Sequence, residues 1–357
     1  MKILYVITGL GQGGAERVVC DLADKMHEKG NDVKIAYLTG DILTKPRYQE
    51  IELIKINLNS LLLFPLAYIK LYKIIKNFEP DVVHSQMLHA NIFTRLIRIT
   101  SPIKKLICTA HNSNEGGRFR MILYRLTHSL AHITTNVSNT ATISFETKNA
   151  VPKNGMLTIY NGVNLTKFKY NSFARKEVEN EFNLNSDISV ILAVGRFNKQ
   201  KNYPNLLNAI KILKEKANLP FKLLIAGDGE LREHIETLIE GLNLTDDIIL
   251  LGRRSDIPKL MSACDVYVLS SDYEGLPTVL IEAMACQAQI VATDVSGVKE
   301  IVDIYGHIVP TNDSESLSNA IIKSMNRPIK NIDGANYVKS KFDLEIISEQ
   351  WLDKYRE

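Results

Sequence analysis

Several features that mark specialised classes of protein are missing from this chain of 357 residues. No segment reaches the roughly 18 consecutive apolar residues of a membrane-spanning helix, and the longest candidate, 61–69, contains Pro65. The four cysteines show no Cys-x-x-Cys spacing and no paired histidines accompany them, so neither a zinc site nor a disulfide framework is indicated. Internal repeats and low-complexity segments are missing too. What remains is the pattern of a globular protein with reduced, buried thiols.

The composition and the charge distribution describe a protein with two unlike halves. Hydrophobic residues make up 45% and charged residues 23% of the chain, as in soluble globular proteins, and the length suffices for two domains with separate cores. The apolar run at 1–7 is too short for a signal peptide, so we expect a cytoplasmic protein. Residues 1–170 hold 22 of the 43 lysines and arginines but only 12 of the 40 acidic residues, an excess of ten positive charges. The first half is therefore expected to seek anionic partners.

Short apolar strands alternate with segments of helical periodicity in both halves, which is typical of parallel sheets covered by helices on both faces. The predicted strands are 3–7, 33–38, 53–56, 82–84, 106–109, 134–137 and 157–159 in the first half, and 190–194, 222–226, 248–251, 266–269 and 290–292 in the second. A turn-rich connection at 160–164 separates the two series. We therefore predict an α/β protein of two domains with a cleft between them.

Two glutamates mark one strand-to-helix corner of the second half. Glu274 follows the predicted strand 266–269 and a polar turn, and Glu282 lies about two helical turns further on, in a helix that Pro277 is suited to open. Open α/β sheets bind their ligands at such corners, and two carboxylates suit a ligand rich in hydroxyls, such as a ribose or a hexose. The alternative is that Glu274 only caps the helix and Glu282 is a solvated helix residue.

The corner after the predicted strand 190–194 carries cations instead. Gly195, Arg196 and Lys201 lie between this strand and a predicted helix at 203–215. Arg196 is suited to bind a phosphate in a bidentate manner, and Lys201 supplies a mobile point charge, so the two would form an anion clamp. The alternative is a pair of solvated surface charges.

In the first half, strand 3–7 leads into a loop with four glycines, among them Gly13 and Gly14, followed by Arg17. Glycines allow the backbone to approach a phosphate or a sugar closely. The acidic ribose-binding residue of a dinucleotide site is missing after the second strand, so that interpretation is weak. His111 follows strand 106–109 and is able to exchange a hydrogen bond with a sugar hydroxyl, although a single histidine is more often structural.

Two predicted helices of the first half, 67–78 and 118–130, are basic and amphipathic. The second has Arg118, Arg125 and His128 on one side and Ile122, Leu126 and Leu130 on the other. Such a helix is suited to lie on an anionic membrane, but an apolar face is equally suited to cover the sheet. For 67–78 we favour packing on the sheet, and for 118–130 both interpretations stay open.

Three of these motifs together resemble glycosyltransferase family 4, the retaining, nucleotide-sugar-dependent enzymes of the GT-B fold. Glu-x7-Glu with Gly-Leu-Pro after the first acid stands at 274–282, Gly-Arg…Lys at 195–201, and Gly-Gly-Ala-Glu-Arg at 13–17. The resemblance extends over essentially the whole chain. It implies two Rossmann-like α/β/α domains whose parallel sheets face a central cleft. An acceptor-side domain is expected at 1–168, a nucleotide-sugar domain at 169–342, and a last helix at 343–357 that crosses back onto the first domain.

The resemblance also implies roles for single residues. Glu274, Arg196, Lys201 and His111 are the expected catalytic residues, of which the two cations hold the donor diphosphate and His111 contacts the donor sugar. The expected donor-binding residues are Gly13, Gly14, Arg17, Gly195, Arg196, Lys201, Arg253, Glu274, Gly275, Leu276, Pro277 and Glu282. Arg253 belongs to a corner that usually frames the nucleobase, and Glu282 accepts hydrogen bonds from the ribose. Family members frequently have His-Ser-His where this chain has His84-Ser85-Gln86, which puts an acceptor-side role of that corner in doubt.

The implied reaction transfers a hexose or N-acetylhexosamine from a nucleotide diphosphate sugar, expected to be a UDP-sugar. The expected acceptor is a polyprenyl-diphosphate-linked glycan in the synthesis of O-antigen or capsule-type polysaccharide. No Asp-x-Asp triplet occurs, which argues against a carboxylate-held metal, so neither a metal nor a cofactor is expected. We expect the first domain to bind the anionic inner face of the membrane peripherally and the protein to bind no nucleic acid. The alternatives are a nucleotide-sugar epimerase of the GT-B fold and a non-catalytic nucleotide-sugar-binding protein.

Overall fold

Two parallel β-sheets organise the chain, each in a compact unit of its own. The first unit consists of Met1–Asn164 and Phe342–Glu357, and the second of Leu165–Lys341. The computed structural model describes residues 1–11, 13–113, 116–217, 219–326 and 329–357. The predicted α/β class with two parallel sheets is confirmed.

The first unit begins with a buried strand at the centre of its sheet. Its elements are β1 (Lys2–Ile7), α1 (Gly14–Glu28), β2 (Asp32–Tyr37), β3 (Glu52–Lys55), α2 (Phe64–Phe78), β4 (Val82–Gln86), α3 (Leu88–Arg98), β5 (Leu106–Ala110), α4 (Arg118–Thr127), β6 (Ile133–Asn136), α5 (Asn139–Thr147) and β7 (Leu157–Thr158). In the described residues the strand order is β3-β2-β1-β4-β5-β6-β7. Ile3, Tyr5 and Ile7 pack with α1, whereas Leu4 and Val6 pack with α2 and α3. Because helices cover both faces, this strand is apolar and buried from Ile3 to Ile7.

The second unit repeats this architecture. Its elements are α6 (Ala174–Phe182), β8 (Ser189–Val194), α7 (Tyr203–Lys216), β9 (Phe221–Ala226), α8 (Arg232–Gly241), β10 (Ile248–Gly252), α9 (Ile257–Ala263), β11 (Val266–Leu269), α10 (Thr278–Ala285), β12 (Gln289–Thr293), α11 (Val298–Val302), β13 (Gly306–Val309), α12 (Ser314–Met325) and α13 (Ile332–Phe342). The described strands are ordered β10-β9-β8-β11-β12-β13. Ile191 and Ala193 of β8 share one buried cluster with residues of α7, α8 and α12.

The last helix of the chain, α14 (Leu344–Arg356), packs in the first unit. Its N-terminus is capped by Asp343, whose carboxylate accepts a hydrogen bond from the amide of Glu345 at 3.1 Å. Trp351, Leu352 and Tyr355 are buried in the same cluster as β1 and α1. The last helix therefore completes one of the buried clusters that pack on the first sheet.

Each predicted strand coincides with an observed one, and the differences lie at ends and edges. The strand β13 was missed because it is a short edge strand that begins with a glycine and a histidine. The strand β4 continues past the predicted end at His84 to Gln86, and α10 begins at Thr278, with Pro277 as its N-cap residue. Short 3₁₀ turns occupy Leu61–Leu63, His128–Leu130 and Lys199–Lys201. Within the described ranges, no helix combines the length and apolarity needed to cross a membrane.

The strand orders determine where each unit is suited to bind a ligand. In the first sheet the order reverses between β1 and β4, and in the second between β8 and β11. The loops that leave the carboxyl ends of such neighbouring strands diverge and open a crevice, which is where ligands bind to open α/β sheets. The glycine loop and Gln86 lie at this point in the first unit, and Gly195 and Glu274 lie near it in the second.

Candidate functional site

An ion pair occupies the reversal point of the second sheet. Nζ of Lys201, from the loop after β8, lies 2.7 Å from Oε1 of Glu274, from the loop after β11. The side chains are mostly buried, with exposed fractions of 18% for Lys201 and 10% for Glu274. The structure thus brings together two residues 73 positions apart in the sequence, a cation and a carboxylate that sequence analysis assigned to different corners.

Two further side chains hold Glu274 in place. The hydroxyl of Ser271 donates to Oε1 at 2.7 Å, and the amide of Gln200 donates to Oε2 at 3.1 Å. With Lys201 these donors serve both carboxylate oxygens, so the orientation of Glu274 is set before any ligand arrives. No sequence pattern marks Gln200 or Ser271, because each is an ordinary polar residue of a loop, without periodicity or spacing to distinguish it.

The backbone around this pair is closely packed. A Cβ added at Gly195 would lie 3.1 Å from Cε of Lys201, so this position has little room for a larger side chain. Gly297 has a φ of +78°, and a Cβ there would lie 2.6 Å from the carbonyl oxygen of Gly275. Gly275, Leu276 and the capping Pro277 are buried directly before α10, whose first-turn amides favour an anion at this corner.

The two predicted arginines of the second unit are exposed and already paired. Arg196 is 66% exposed and lies 3.2 Å from Glu230, and Arg253 is 65% exposed and lies 3.7 Å from Asp228. The predicted clamp therefore does not present two unpaired cations, since Arg196 and Lys201 each face a carboxylate. Exposed pairs of this kind contribute about 0–1 kcal/mol, so an anionic ligand with better geometry is able to displace Glu230 from Arg196.

Glu282 belongs to α10 and is partly buried. Burial raises the pKa of the Tyr267 hydroxyl well above its usual range, and the negative charge of Glu282 adds to that shift. The Tyr267 hydroxyl donates to the carbonyl oxygen of Val194 at 3.3 Å, at the end of β8. Glu282 thus acts electrostatically on a tyrosine that contacts the end of β8, and its donor-binding role stays a prediction.

In the first unit, the glycine loop ends at Gly13, the N-cap residue of α1. The carboxylate of Glu16 folds back over the loop and lies so close to Gly13 that a Cβ added there would collide with it. Burial raises the pKa of Glu16. Arg17 points elsewhere: its Nε lies 2.9 Å from the carboxylate of Asp21, one turn along the exposed side of α1. Glu16, quoted above only as part of a motif, is thus a charged side chain of α1 that lies close to Gly11 and Gly13.

His111 follows β5 and is partly buried. Its Nε2 lies 2.6 Å from Oε1 of Gln86, and Nε2 of Gln86 lies 2.9 Å from Nε2 of His84. Burial lowers the pKa of His111 to about 4 and that of His84 to about 3, so both imidazoles are neutral near pH 7. Gln86, where family members frequently have histidine, is therefore the link between the two histidines.

Two family models match the chain. The model described as "Glycosyltransferase Family 4" matches residues 12–167, and the model described as "Glycosyl transferases group 1" matches residues 174–340. The chain belongs to the family 4 glycosyltransferases. The predicted family and the predicted transferase class are confirmed, and the assignment favours a transferase over the epimerase and the non-catalytic binding protein.

Three bacterial relatives show what this family 4 glycosyltransferase is similar to. A Campylobacter jejuni protein named N-acetylgalactosamine-N,N'-diacetylbacillosaminyl-diphospho-undecaprenol 4-alpha-N-acetylgalactosaminyltransferase is 27% identical over 88% of this chain and 88% of its own length. An Escherichia coli protein named UDP-Gal:alpha-D-GlcNAc-diphosphoundecaprenol alpha-1,3-galactosyltransferase is 27% identical over 76% of this chain and 73% of its own length. The amylovoran biosynthesis glycosyltransferase AmsD of Erwinia amylovora is 28% identical over 99% of both chains.

Solved structures establish the fold. Anabaena HepE in complex with UDP and glucose aligns with a TM-score of 0.83 and 18% identity over 99% of both chains. Sucrose-phosphate synthase from Thermosynechococcus elongatus aligns with a TM-score of 0.86 and 21% identity, covering 100% of this chain and 98% of that one. The chain has the GT-B fold, as predicted.

The apolar side chains of α4 are arranged differently from the prediction in which this helix covers the sheet. Met121 and Tyr124 face the core, whereas Phe119, Ile122 and Leu126 are exposed. The interpretation in which Ile122 and Leu126 cover the sheet is therefore wrong. The helix register places residues 121 and 124 inward. In α2, by contrast, Ala67, Leu71, Ile75 and Phe78 are buried and the lysines are exposed, so the favoured interpretation of that helix is confirmed.

A cavity of about 690 Å³ lies beside the exposed face of α4. Its lining combines apolar and basic side chains from α4 and from the end of α5, among them Met121, Ile122, Arg118, Arg125 and Lys148. Among the described residues, no acidic side chain belongs to that lining. As for a metal, the described residues contain no group of three or more His, Cys, Asp or Glu placed to hold an ion.

Proposed function

We propose that the protein is a retaining, metal-independent glycosyltransferase that moves a hexose or N-acetylhexosamine from a UDP-sugar to a polyprenyl-diphosphate-linked glycan. The relatives named for diphospho-undecaprenol substrates support this acceptor class, and the HepE complex with UDP and glucose supports the donor class. The pathway we propose is the assembly of a cell-surface polysaccharide, for which the relative AmsD is named.

The observation that carries the proposal is the Lys201–Glu274 pair at the reversal point of the second sheet. A departing nucleoside diphosphate gains negative charge, and preorganised cations and amide groups at that position stabilise it. Lys201 and the first turn of α10 supply such groups. Glu274, oriented by Ser271 and Gln200, presents a carboxylate to hydroxyls of the donor. Arg196 joins Lys201 when the diphosphate displaces Glu230.

His111 has a different task in the proposal, as the contact of the donor sugar. Its neutral imidazole forms hydrogen bonds without adding positive charge near an anomeric carbon that itself becomes positive. A charged histidine there would oppose the oxocarbenium-like transition state. The low pKa that burial gives His111 thus suits the proposed role.

The proposed chemistry takes place on one face of the sugar. The bond from the anomeric carbon to the donor phosphate oxygen breaks, and its electron pair leaves with UDP. The acceptor hydroxyl oxygen attacks the anomeric carbon from the same face, and its proton passes to the leaving phosphate oxygen, which retains the configuration. Protein cations take the place of a metal ion, in keeping with the lack of an Asp-x-Asp triplet. Detection of a covalent glycosyl adduct on any residue would contradict this step.

The experiment that tests the proposal is a turnover screen with UDP-, GDP- and ADP-sugars, a polyprenyl-diphosphate sugar as acceptor, and EDTA throughout. We expect one UDP-sugar to raise the melting temperature and a lengthened lipid product to form despite EDTA. The anomeric configuration of the product, read by NMR, should match that of the donor. Isomerisation of the nucleotide sugar without acceptor would establish the epimerase instead, and loss of turnover in EDTA would reject metal independence.

We also propose that the surface of α4 binds the anionic inner face of the membrane, with the enzyme peripherally attached from the cytoplasmic side. Phe119 is 72% exposed and stands with Ile122 and Leu126 among basic residues, so apolar insertion and attraction to anionic lipids act together. A polyprenyl chain resides in the bilayer, and its enzyme has to reach the surface.

Sedimentation with vesicles of phosphatidylglycerol and phosphatidylcholine tests this attachment. Wild type is expected to sediment at low salt and to be released at high salt. Phe119→Ser should weaken sedimentation, whereas Phe173→Ser, at a 74% exposed phenylalanine of the second unit, serves as the matched control. Equal sedimentation of the two variants would reject α4 as the docking surface.

A further inference from the structure

A line of hydrogen-bonded, uncharged side chains runs through the first unit from the last helix to His111. The hydroxyl of Tyr355 lies 2.7 Å from Nδ1 of His84, Nε2 of His84 lies 2.9 Å from the amide nitrogen of Gln86, and Oε1 of Gln86 lies 2.6 Å from Nε2 of His111. The Tyr5 hydroxyl, 3.0 Å from that of Tyr355, ends the line. It joins α14, β1, β4 and the residue after β5.

Gln86 gives this line a direction. In a glutamine amide the oxygen only accepts and the nitrogen only donates. Since Oε1 faces His111, Nε2 of His111 has to carry a proton and donate. Since the amide nitrogen faces His84, Nε2 of His84 has to accept, and the proton of His84 is on Nδ1, where it donates to Tyr355. The hydroxyl of Thr109, 2.7 Å from Nε2 of His84, is a second donor to the same lone pair.

The far end of the line is rigidly held. The ring of His84 is fully buried and lies against Trp351 of α14, with ring centroids 4.4 Å apart. Gln86 is only 2% exposed, so neither the oxygen nor the nitrogen of its side-chain amide can readily exchange its histidine partner for water. Because a buried polar group without a partner is costly, the amide keeps its hydrogen bonds to both histidines.

Both histidines stay neutral near pH 7, so neither gains a second ring proton that would change which groups donate and which accept. Burial lowers the pKa of both imidazoles, and for His84 the neighbouring His111 adds to the effect. Glutamine has no titratable group. A histidine at position 86 would be able to donate or accept at either nitrogen, and an acid would carry a charge. A glutamine links two neutral imidazoles so that one of them donates and the other accepts.

We infer that Gln86 is a positioning residue that keeps the proton of His111 on Nε2 and thereby leaves Nδ1 of His111 as an acceptor for a donor-sugar hydroxyl. This inference rests on the proposed contact between His111 and the donor. Among the described residues, no hydrogen-bond partner of Nδ1 is present. The site then prefers a sugar with a hydroxyl at the contacted position over the corresponding deoxy sugar by about 2–10-fold, the range of one neutral hydrogen bond.

The inference has a readout that does not depend on activity. In protein labelled with ¹⁵N-histidine, long-range ¹H–¹⁵N spectra distinguish a protonated from an unprotonated ring nitrogen, and a His111→Asn sample identifies the signals of His111 among the eight histidines. Wild type is expected to show His111 protonated on Nε2 and His84 protonated on Nδ1. A wild-type spectrum with His111 protonated on Nδ1 would overturn the inference without any variant.

The variant that tests the role of Gln86 is Gln86→Met, which has similar length and no amide. We expect a mixture of His111 tautomers and a rise of about 2–10-fold in the donor KM, the range of one neutral hydrogen bond, with a smaller change in kcat. Gln289→Met, at the opposite end of a strand in the second unit, controls for loss of a glutamine. If His111 in Gln86→Met is still protonated only on Nε2, the positioning role of Gln86 is rejected.

Two outcomes separate this inference from the proposed function. If the tautomers change as expected in Gln86→Met but the donor KM does not, His111 does not contact the donor, and the proposed contact fails while the role of Gln86 in directing the proton stands. If Gln86→Met discriminates the hydroxylated donor from its deoxy analogue as strongly as wild type does, the assignment of Nδ1 as the hydroxyl acceptor is rejected. Loss of that discrimination supports it.

Discussion

The two reversal points of this glycosyltransferase are built from opposite kinds of polar group. The second unit uses ions: Lys201 with Glu274, and Arg196 with Glu230. In the first unit the side chains that follow β4 and β5 are neutral, with a glutamine amide between two imidazoles that burial keeps uncharged, while the carboxylate of Glu16 lies over the glycine loop after β1. Both units have the same strand order around the reversal. The fold therefore determines where polar groups converge. The residues that follow the strands determine whether these groups act through charge or through oriented neutral hydrogen bonds.

This difference has a physical reason. Charge acts over several ångströms and tolerates imperfect geometry, so it suits a leaving diphosphate, whose charge is spread over several oxygens. A neutral hydrogen bond depends on distance and angle and discriminates between donors and acceptors. On the proposed function, the second unit supplies the larger share of the rate and the first unit the larger share of the sugar selectivity.

The largest effect is expected from removing the central cation. Lys201→Ala should lower kcat by about 10²–10³-fold, the cost of losing one preorganised group that stabilises a developing anion. The exposed neighbour Lys199, on the same turn, is the matched control. Steady-state kinetics with the UDP-sugar identified in the screen measure both variants. An active Lys201→Ala enzyme would show that charge in the second unit does not drive the reaction.

The next largest effect is on the pH dependence of stability, which is expected to differ between the two units. His84 titrates near 6.5 in the unfolded chain and at about 3 in the folded protein. Between these values only the unfolded state holds the proton, so stability is lost as the pH falls below 6.5, by about 1.4 kcal/mol per pH unit. In the second unit, the hydrogen bond from Arg254 lowers the pKa of Asp256, so its contribution is lost only at lower pH, when the carboxylate is protonated.

Denaturant unfolding followed by tryptophan fluorescence measures this pH effect, because the single tryptophan, Trp351, lies against His84 in the first unit. The measurement compares wild type with His84→Gln between pH 7 and pH 4.5. The free energy of unfolding of His84→Gln should vary less steeply with pH, because about one proton fewer is taken up on unfolding. The variant is also expected to be less stable than wild type at pH 7. Equal pH slopes would show that the buried imidazole of His84 is not what makes the first unit sensitive to acid.

A smaller effect concerns the close approach of two loops in the second unit. Gly297→Ala places a Cβ 2.6 Å from the carbonyl oxygen of Gly275 at a φ of +78°, so we expect a loss of about 1–3 kcal/mol. Gly241→Ala, at the end of α8 with no atom near the added Cβ, should instead be neutral or stabilising by up to about 1 kcal/mol. Thermal unfolding measures both. Equal stability of the two variants would contradict the tight packing around Glu274.

The smallest effect tests the exposed arginine. Glu230→Gln removes the carboxylate that competes with the donor for Arg196, and we expect the donor KM to fall by up to about fivefold, since exposed pairs contribute about 0–1 kcal/mol. The exposed Glu233→Gln is the control. A higher KM in Glu230→Gln would show that Glu230 orients Arg196 instead of competing for it.

The sequence predicts much of this arrangement because strand order and strand ends follow from local patterns. Alternating apolar strands and helices predicted the two sheets, and the spacing of Glu274, Arg196 and Lys201 predicted which corners carry charge. Gln200 and Ser271 escaped notice, because nothing in a loop sequence tells which polar side chain turns toward a distant carboxylate. For the same reason, sequence analysis treated Gln86 as a departure from a family pattern and did not recognise it as a link.

What the sequence by itself determined is therefore the fold class, the family and the corners at which polar residues gather, since these depend on periodicity and on short motifs. Only the tertiary structure decided which of these residues are partners. Lys201 meets Glu274 across 73 positions, and Tyr355 meets His84 across 271. Such contacts are set by how strands and helices pack in three dimensions, where the angle of one helix decides whether a side chain reaches another. That angle is not recorded in any local pattern of residues.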